Sequence, residues 1–205
     1  MLTKFVVDPK FFGTFLDTQH SIILDSECNE IDSLRLVVRP FGKSDIEHYY
    51  ALYSDIDVVA SYYNGQIRAR DEVEELVNYS LNCQSPGYFS IFHKGTNAFV
   101  GTVALTARKQ RPGEILLVYL LNKQYWGYNY AKEAIYSLLF CFFPMLKMDV
   151  KTVNATTNAS NVASKCILEK FGFKLTKSLN LFGKTKLYYT LDIDVIYNIH
   201  KKVRL

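Results

Sequence analysis

The chain has 205 residues, 49% of them hydrophobic and 21% charged. That is the composition of an ordinary globular protein, which excludes a disordered chain and favours one domain, or one domain with an extension. The net charge of +4 is mild and Lys and Arg form no stripe, so a dedicated nucleic-acid binder is excluded; the basic "HKKVRL" at the C-terminus reads as a solvated tail.

Residues 1–32 show no clear period and are expected to be an N-terminal extension, with residues 33–205 as the domain. "LRLVVRP" at 34–40 alternates and ends at Pro40, a strand signal. A helix follows, with Ser44 as N-cap and Ile46, Tyr49, Tyr50 and Tyr53 at helical spacing. "ARDEVEELVNYSLNC" predicts a second helix, with Val73, Leu76, Val77, Ser80 and Leu81 on one face. "GYFSIFHKGTNAFVGTVALTAR" reads as a hairpin around "KGTN". "EILLVYLL" at 114–121 is apolar throughout, the pattern of a central strand buried on both faces. A helix is expected over 127–143, stopped by Pro144. A strand over 149–156 and a helix ending at Gly172 come next. A hairpin around "LFGK" and a short helix close the chain.

This order predicts a mixed α/β fold. The strand at 114–121, the helix after it and the strand at 149–156 form one right-handed βαβ unit joining parallel strands.

Of the cysteines Cys28, Cys83, Cys141 and Cys166, no two have C-x-x-C spacing. Cys141 and Cys166 sit in apolar settings and read as small core residues. A reducing, cytoplasmic compartment is expected. The N-terminal stretch lacks a signal peptide's apolar run and nothing is long enough to span a bilayer, so no membrane partner is expected. His48, His93 and His200 are isolated, so no metal is expected.

The segment "QYWGYNYAKEA", 124–134, joins the buried strand to the helix. A helix start offers free N–H groups and about half a positive charge, which suits phosphate. Only Gly127 is small there, so alone the segment reads as a plain strand-to-helix turn sooner than as a phosphate loop.

Gln124, Gly127 and Asn129 form Q-x-x-G-x-N, and this resembles the Q/R-x-x-G-x-G/A signature of the GNAT acyl-CoA-dependent N-acetyltransferases. "NVASKCILEKFGF" at 161–173 is similar to a later motif of that family, in the form typical of its ribosomal-protein N-terminal acetyltransferase branch. "LRLVVRP" and "YSDIDVVASYYNG" resemble further segments of the same branch. The resemblance covers about residues 34–197.

It implies the GNAT fold, a central, mostly antiparallel twisted sheet with a parallel βαβ splay and helices on both faces, and an acetyltransferase that uses acetyl-CoA without a metal. Gln124, Trp126, Gly127, Tyr128, Asn129 and Tyr130 would surround the CoA pyrophosphate. The backbones of Tyr119 and Leu121 would pair with the acetyl and pantetheine groups, and Asn161 would hydrogen-bond the pantetheine arm. Ser164 would protonate the leaving thiolate, since Leu168 stands where many relatives have a tyrosine acid. Glu114 is the candidate base, although the family's acidic position aligns with Leu116. Tyr62 and Tyr63 would border the acceptor groove. Asn129 replaces the family's second small residue, and its side chain either bonds a phosphate oxygen or blocks it. Glu169 and Lys170 read as a solvated face or an ion pair.

The expected acceptor is a primary amine attacking directly, first a protein N-terminal α-amine, then a polyamine or other small amine. No nucleic-acid partner is expected, and the protein is a monomer or homodimer. Two other readings stay open: a GNAT-fold acyl-CoA-binding module with weak or lost catalysis, and an unrelated binder of a phosphate ligand.

Overall fold

The computed structural model describes residues 2–6, 21–25, 30–60, 62, 65–82, 87–107, 110–146, 148–181 and 183–204. Its strands are β1 (Leu2–Val6), β2 (Ser21–Asp25), β3 (Glu30–Asp32), β4 (Leu36–Pro40), β5 (Gly87–His93) and β6 (Phe99–Ala107). β7 (Glu114–Leu121), β8 (Thr152–Asn158), β9 (Lys174–Leu181) and β10 (Lys184–Asp192) complete them. They form one ten-stranded sheet in the order β1-β2-β3-β4-β5-β6-β7-β8-β10-β9. Neighbours are antiparallel except β7 and β8.

The helices are α1 (Ile46–Ser54), α2 (Ile56–Val59), α3 (Arg70–Leu81), α4 (Tyr130–Tyr136), α5 (Val162–Lys170) and α6 (Ile193–Val203). They divide the core between the two faces of the sheet. Tyr49, Leu52 and Tyr53 of α1 and Val73 and Val77 of α3 pack with Phe92, Phe99 and Leu120. On the other face, α4, α5 and α6 bury Ile135, Leu168 and Ile196 against Val103, Leu117 and Val153.

β7 and β8 carry the feature that makes a site. Their parallel register runs only over Glu114↔Thr152, Ile115↔Val153 and Leu116↔Asn154. Beyond it β8 pairs only with β10, and β7 only with β6. The two strands therefore part into an opening. β7 is central, as its apolar run predicts, but it is not buried on both faces: Leu116, Val118 and Tyr119 are half-buried because they line this opening.

β6 and β7 approach closely at Gly101. A Cβ there would stand 2.2 Å from the Leu120 carbonyl oxygen and 2.7 Å from Leu121 Cα. Only glycine permits that approach, so Gly101 sets the path of β7 just where it borders the opening.

Some local expectations are corrected. Residues 2–6, 21–25 and 30–32 extend the sheet as β1 to β3. Ser44 does not cap α1; it sits inside a 3-10 turn, Lys43–Asp45. Asp45 organises that corner instead, taking Arg39 bidentately at 2.9 and 2.7 Å, Gly42 N at 3.0 Å and Ser90 Oγ at 2.8 Å. Burial works to raise its pKa, but the bonds from Arg39, Gly42 and Ser90 outweigh it and hold the carboxyl below its usual value. The helix expected over 127–143 begins at Tyr130, runs into a π-helical stretch, Ser137–Phe142, and ends in a 3-10 turn, Phe143–Leu146. Pro144 lies within that last turn rather than stopping the helix before it. Cys141 is buried as expected, whereas Cys166 is exposed, because it stands on the part of α5 that borders the opening beside β7. Cys28 and Cys83 lie outside the described residues.

Candidate active site

The opening between β7 and β8 is a cleft of about 810 Å³. Residues Leu116–Leu121 form one wall, and Thr156, Thr157 and the start of α5 form the other. Tyr125–Gly127 and Asn129–Lys132 close one end, while Asp57, Val58 and Tyr62 border the α1/α2 side.

The backbone of β7 offers hydrogen bonds into this space. Asn122 N donates to Val100 O at 2.9 Å, just beyond the Gly101↔Leu121 pair. In an antiparallel pair, bonded positions alternate. Residues 116, 118 and 120 therefore bond to β6, and the N–H and C=O groups of Tyr119 and Leu121, beyond the last β8 pair at Leu116↔Asn154, point toward the opening. One of these is already engaged: Trp126 Nε1 donates to Leu121 O at 2.9 Å. The lone tryptophan thus ties the loop back onto the strand end.

The loop before α4 is built for an anion. Gly127 has φ 83° and Asn129 φ 62°, so two left-handed residues bend the chain into the helix. A Cβ on Gly127 would meet nothing within 4 Å, so its glycine serves conformation rather than space. Asn129 is the N-cap residue but makes no side-chain cap bond. The N–H groups of the first turn therefore stay open to an incoming acceptor. Its side-chain oxygen instead accepts from Lys132 Nζ at 3.1 Å. Lys132 and Lys170 both line the cleft here. Burial, and then the charge of Lys170, lower the pKa of Lys132.

A buried clip holds this loop from behind. Glu133 is fully buried and accepts from Ser33 Oγ at 2.7 Å, Arg35 N at 2.7 Å and Arg35 Nε at 2.9 Å. Arg35 Nη2 donates onward to Tyr128 O at 3.0 Å, and its guanidinium lies 4.4 Å from the Tyr130 ring centre. Tyr128 stacks on Tyr130 at 5.9 Å. The exposed aromatics of the loop are thus packing for its backbone.

At the other end of the cleft, Tyr119 Oη and Ser164 Oγ are 2.7 Å apart, one from each wall. Ser164 is 7% exposed and is not bonded back into its own helix through its hydroxyl. Burial pushes the Tyr119 phenol up to about 12, partly offset by the bond to Ser164. Asn161 caps α5, its Oδ1 accepting from Ser164 N at 3.0 Å. That leaves the Asn161 amide nitrogen as its donor toward the cleft.

The structure therefore brings together Tyr119, Leu121, Trp126, Gly127, Asn129, Tyr130, Asn161, Ser164 and Tyr62. Gln124 and Tyr128 are exposed and stand outside the cleft wall. Glu114 lies at the closed end of the β7–β8 pair, outside the wall as well, and accepts from Asn154 Nδ2 at 3.3 Å and Arg111 Nη1 at 3.5 Å. Tyr63 lies outside the described residues. Glu169 and Lys170 are both exposed, as a solvated face requires; Glu169 also accepts from Tyr189 Oη at 2.9 Å, and Lys170 borders the cleft mouth.

Sequence reasoning missed the Tyr119 hydroxyl, Lys132, the Arg35–Glu133 clip and Asp57. Asp57 is the only carboxylate among the described lining residues, and Lys123 Nζ sits 2.6 Å from it. Among the described residues no three His, Cys, Asp or Glu gather as metal ligands, and no helix is long and apolar enough to cross a membrane.

Known proteins are similar to this chain. The family model described as "Acetyltransferase (GNAT) domain" matches residues 35–174. The "uncharacterized N-acetyltransferase p20" of Bacillus licheniformis is 26% identical over 156 residues, covering 74% of this chain and 86% of that protein. The spermidine N-acetyltransferase of Vibrio cholerae, solved with CoA and spermine, superposes with a TM-score of 0.71 at 16% identity, covering 80% of this chain and 99% of the other. RimL, a ribosomal L7/L12 alpha-N-protein acetyltransferase solved with coenzyme A, gives a TM-score of 0.67 at 16% identity over 80% of this chain and 97% of the other. The parted β7 and β8, the helix start beside them and the match over residues 35–174 lead to one conclusion: the chain belongs to the GNAT family of acetyl-CoA-dependent N-acetyltransferases.

Proposed function

We propose that the cleft binds acetyl-CoA and passes its acetyl group directly to the α-amine at the N-terminus of a protein. The observation that carries the cofactor half is the uncapped start of α4, with two left-handed residues and two lysines beside it. The open N–H groups and the positive end of the helix suit a pyrophosphate, with Lys132 and Lys170 adding charge. The N–H and C=O of Tyr119 and the N–H of Leu121 on β7 suit an extended amide chain lying along the strand, and the Asn161 amide adds a donor from α5. An acetyl carbonyl beside the β7 N–H groups would find donors already aimed where negative charge develops. Acetyl-CoA supplies the activated acetyl group; Ser164, on the opposite wall, faces the leaving sulfur.

The charge of the acceptor side favours an α-amine over a polyamine. A polyamine carries several positive charges and needs unpaired carboxylates. Asp57 is already matched by Lys123. The acidic run 71–75 on α3 is not part of the lining; Glu72 accepts from Ala69 N and Glu74 pairs with Arg70. The same lack of a free carboxylate bears on proton removal. Losing a proton at neutral pH costs an amine of pKa about 10.4 roughly 4 kcal/mol, but an α-amine near 7.7–8.0 only about 1. A cleft without a free base suits the second.

The test has two stages. Acetyl-CoA at 100 times its Kd is expected to raise unfolding free energy by about 2.7 kcal/mol in a thermal-shift titration. CoA release is then compared for peptides with free N-termini, the same peptides Nα-blocked but carrying lysine, and spermidine. Release with the free N-termini is expected. Faster turnover of spermidine overturns the acceptor, and binding without release from any amine favours a binding module.

A further inference from the structure

Tyr119 and Ser164 sit on opposite walls of the parted strands, and their hydroxyls meet at 2.7 Å. Among the described residues neither hydroxyl has a further hydrogen-bond partner. Two hydroxyls hold two protons, and one bond between them uses one. Whichever oxygen donates, the other O–H is left to face a third acceptor. The neighbouring surface offers no alternative hydroxyl from α5: Leu168, one turn beyond Ser164, is fully buried in the core.

We propose that Tyr119 is a positioning residue for the leaving-group end of the reaction, holding Ser164 so that one O–H of the pair points at the sulfur as the thioester breaks. This rests on the acetyl-CoA reading above. The new N–C bond forms from the amine lone pair, and the C–S bond breaks with its electrons going to sulfur. The amine's proton leaves to water, and the thiolate later takes a proton from water. The hydroxyl pair donates a hydrogen bond throughout and keeps both its protons.

Chemistry decides between donating a hydrogen bond and giving up a proton. The phenol, pushed up to about 12 by burial, is a much weaker acid than a thiol near 8.5. Transfer to the thiolate would run against an unfavourable ratio of more than a thousandfold. A hydrogen bond to a developing anion needs no such transfer and is stronger than one between neutral groups. The buried, neutral phenol therefore serves best as a fixed donor.

The experiment uses Tyr119→Phe, Ser164→Ala and the double variant, each checked by thermal melting. CoA release is measured at saturating acetyl-CoA with whichever amine of the panel the unmodified enzyme turns over fastest. Each single change is expected to lower kcat about tenfold or more, the order set by losing a hydrogen bond to a charged acceptor. The acetyl-CoA dissociation constant should stay within about twofold, because the bond forms at the sulfur rather than along the cofactor's length. The double variant should be little worse than Ser164→Ala alone, since the two hydroxyls act as one unit. A merely structural Tyr119 would instead lower the melting temperature and weaken acetyl-CoA binding. A Tyr119→Phe enzyme with unchanged kcat, or singles whose losses multiply in the double, overturns the proposal. Failure of the unmodified protein to bind acetyl-CoA overturns the cofactor reading itself, a distinct result.

Discussion

The two sides of the opening between β7 and β8 are made differently. At the start of α4 the anchoring groups are backbone: its N–H groups, aimed by Gly127 and Asn129 and braced by the Arg35–Glu133 clip, with Lys132 and Lys170 adding charge beside them. On the α1/α2 side they are side chains, Tyr62, Val58 and an Asp57 already paired with Lys123. The first side is built to hold one kind of group, and its donors cannot be rearranged without unfolding the helix start. The second is a surface whose specificity is set by a few replaceable side chains. A cosubstrate common to a family suits the first, and a variable acceptor suits the second.

The sharpest way to break this contrast is to remove the brace. Glu133→Ala would remove the buried carboxylate that accepts from Ser33 Oγ, Arg35 N and Arg35 Nε. Breaking a buried pair on one side costs about 3–5 kcal/mol. That is a large part of the 5–15 kcal/mol that holds a typical domain together. Urea unfolding should show the loss directly. In the folded fraction at low temperature, acetyl-CoA binding should weaken. Stability near that of the unmodified protein would mean that the clip is not what fixes the loop.

A smaller effect separates charge from backbone. Lys132→Ala should weaken acetyl-CoA about tenfold, or roughly 1.4 kcal/mol, with little change in stability. Dephosphorylated analogues of CoA should lose less. Burial and Lys170 lower the pKa of Lys132, so its charge is lost at lower pH than for an ordinary lysine. Anion binding favours the charged form. Affinity is therefore complete below the lowered pKa and falls as pH rises through it, beginning before about 10.4. Titrating acetyl-CoA binding between neutral and alkaline pH, with and without the substitution, checks the sign. An identical pH profile in both would remove Lys132 from the site.

The contrast also explains what was readable in the sequence. The unit β7–α4–β8 follows from an apolar run leading through Gly127 to a second, mostly apolar run that is buried from Glu133 to Pro144, all local signals. Asn161 and Ser164 were readable because a motif places them within one helix turn. The Tyr119–Ser164 bond joins residues 45 apart, and depends on where β8 leaves β7 and how α5 is rotated. The Ser33–Glu133 bond joins residues 100 apart. No local period encodes either. Glu114 shows the same limit: its place on β7 was legible, but not that the strands part only after Leu116, leaving it at the closed end. β1 to β3 were not legible because "LTKFV" and "SIILD" do not alternate and "EID" is too short to, whereas the equally short β4 lies in the alternating "LRLVVRP".

The smallest effect concerns Asn129, and it decides what that residue is for. A side chain that blocked the phosphate would make Asn129→Gly bind acetyl-CoA more tightly and Asn129→Ala at least slightly so. The geometry argues otherwise. Asn129 has φ 62° and ψ 14°, a left-handed conformation that glycine accepts freely, asparagine tolerates and alanine resists. Its side-chain oxygen is turned to Lys132. Asn129→Gly should therefore change both stability and acetyl-CoA affinity little, within about 0.5 kcal/mol. Asn129→Ala, the smaller change in composition but the larger one in backbone, should cost about 1 kcal/mol of stability. It should also weaken binding several-fold, because relaxing the left-handed turn swings the N–H groups of α4 away from their common focus. Melting curves and acetyl-CoA titrations on the two variants read this directly. If alanine behaves like glycine, the left-handed turn is not what aims the site; if both bind tighter, the asparagine side chain stood in the way.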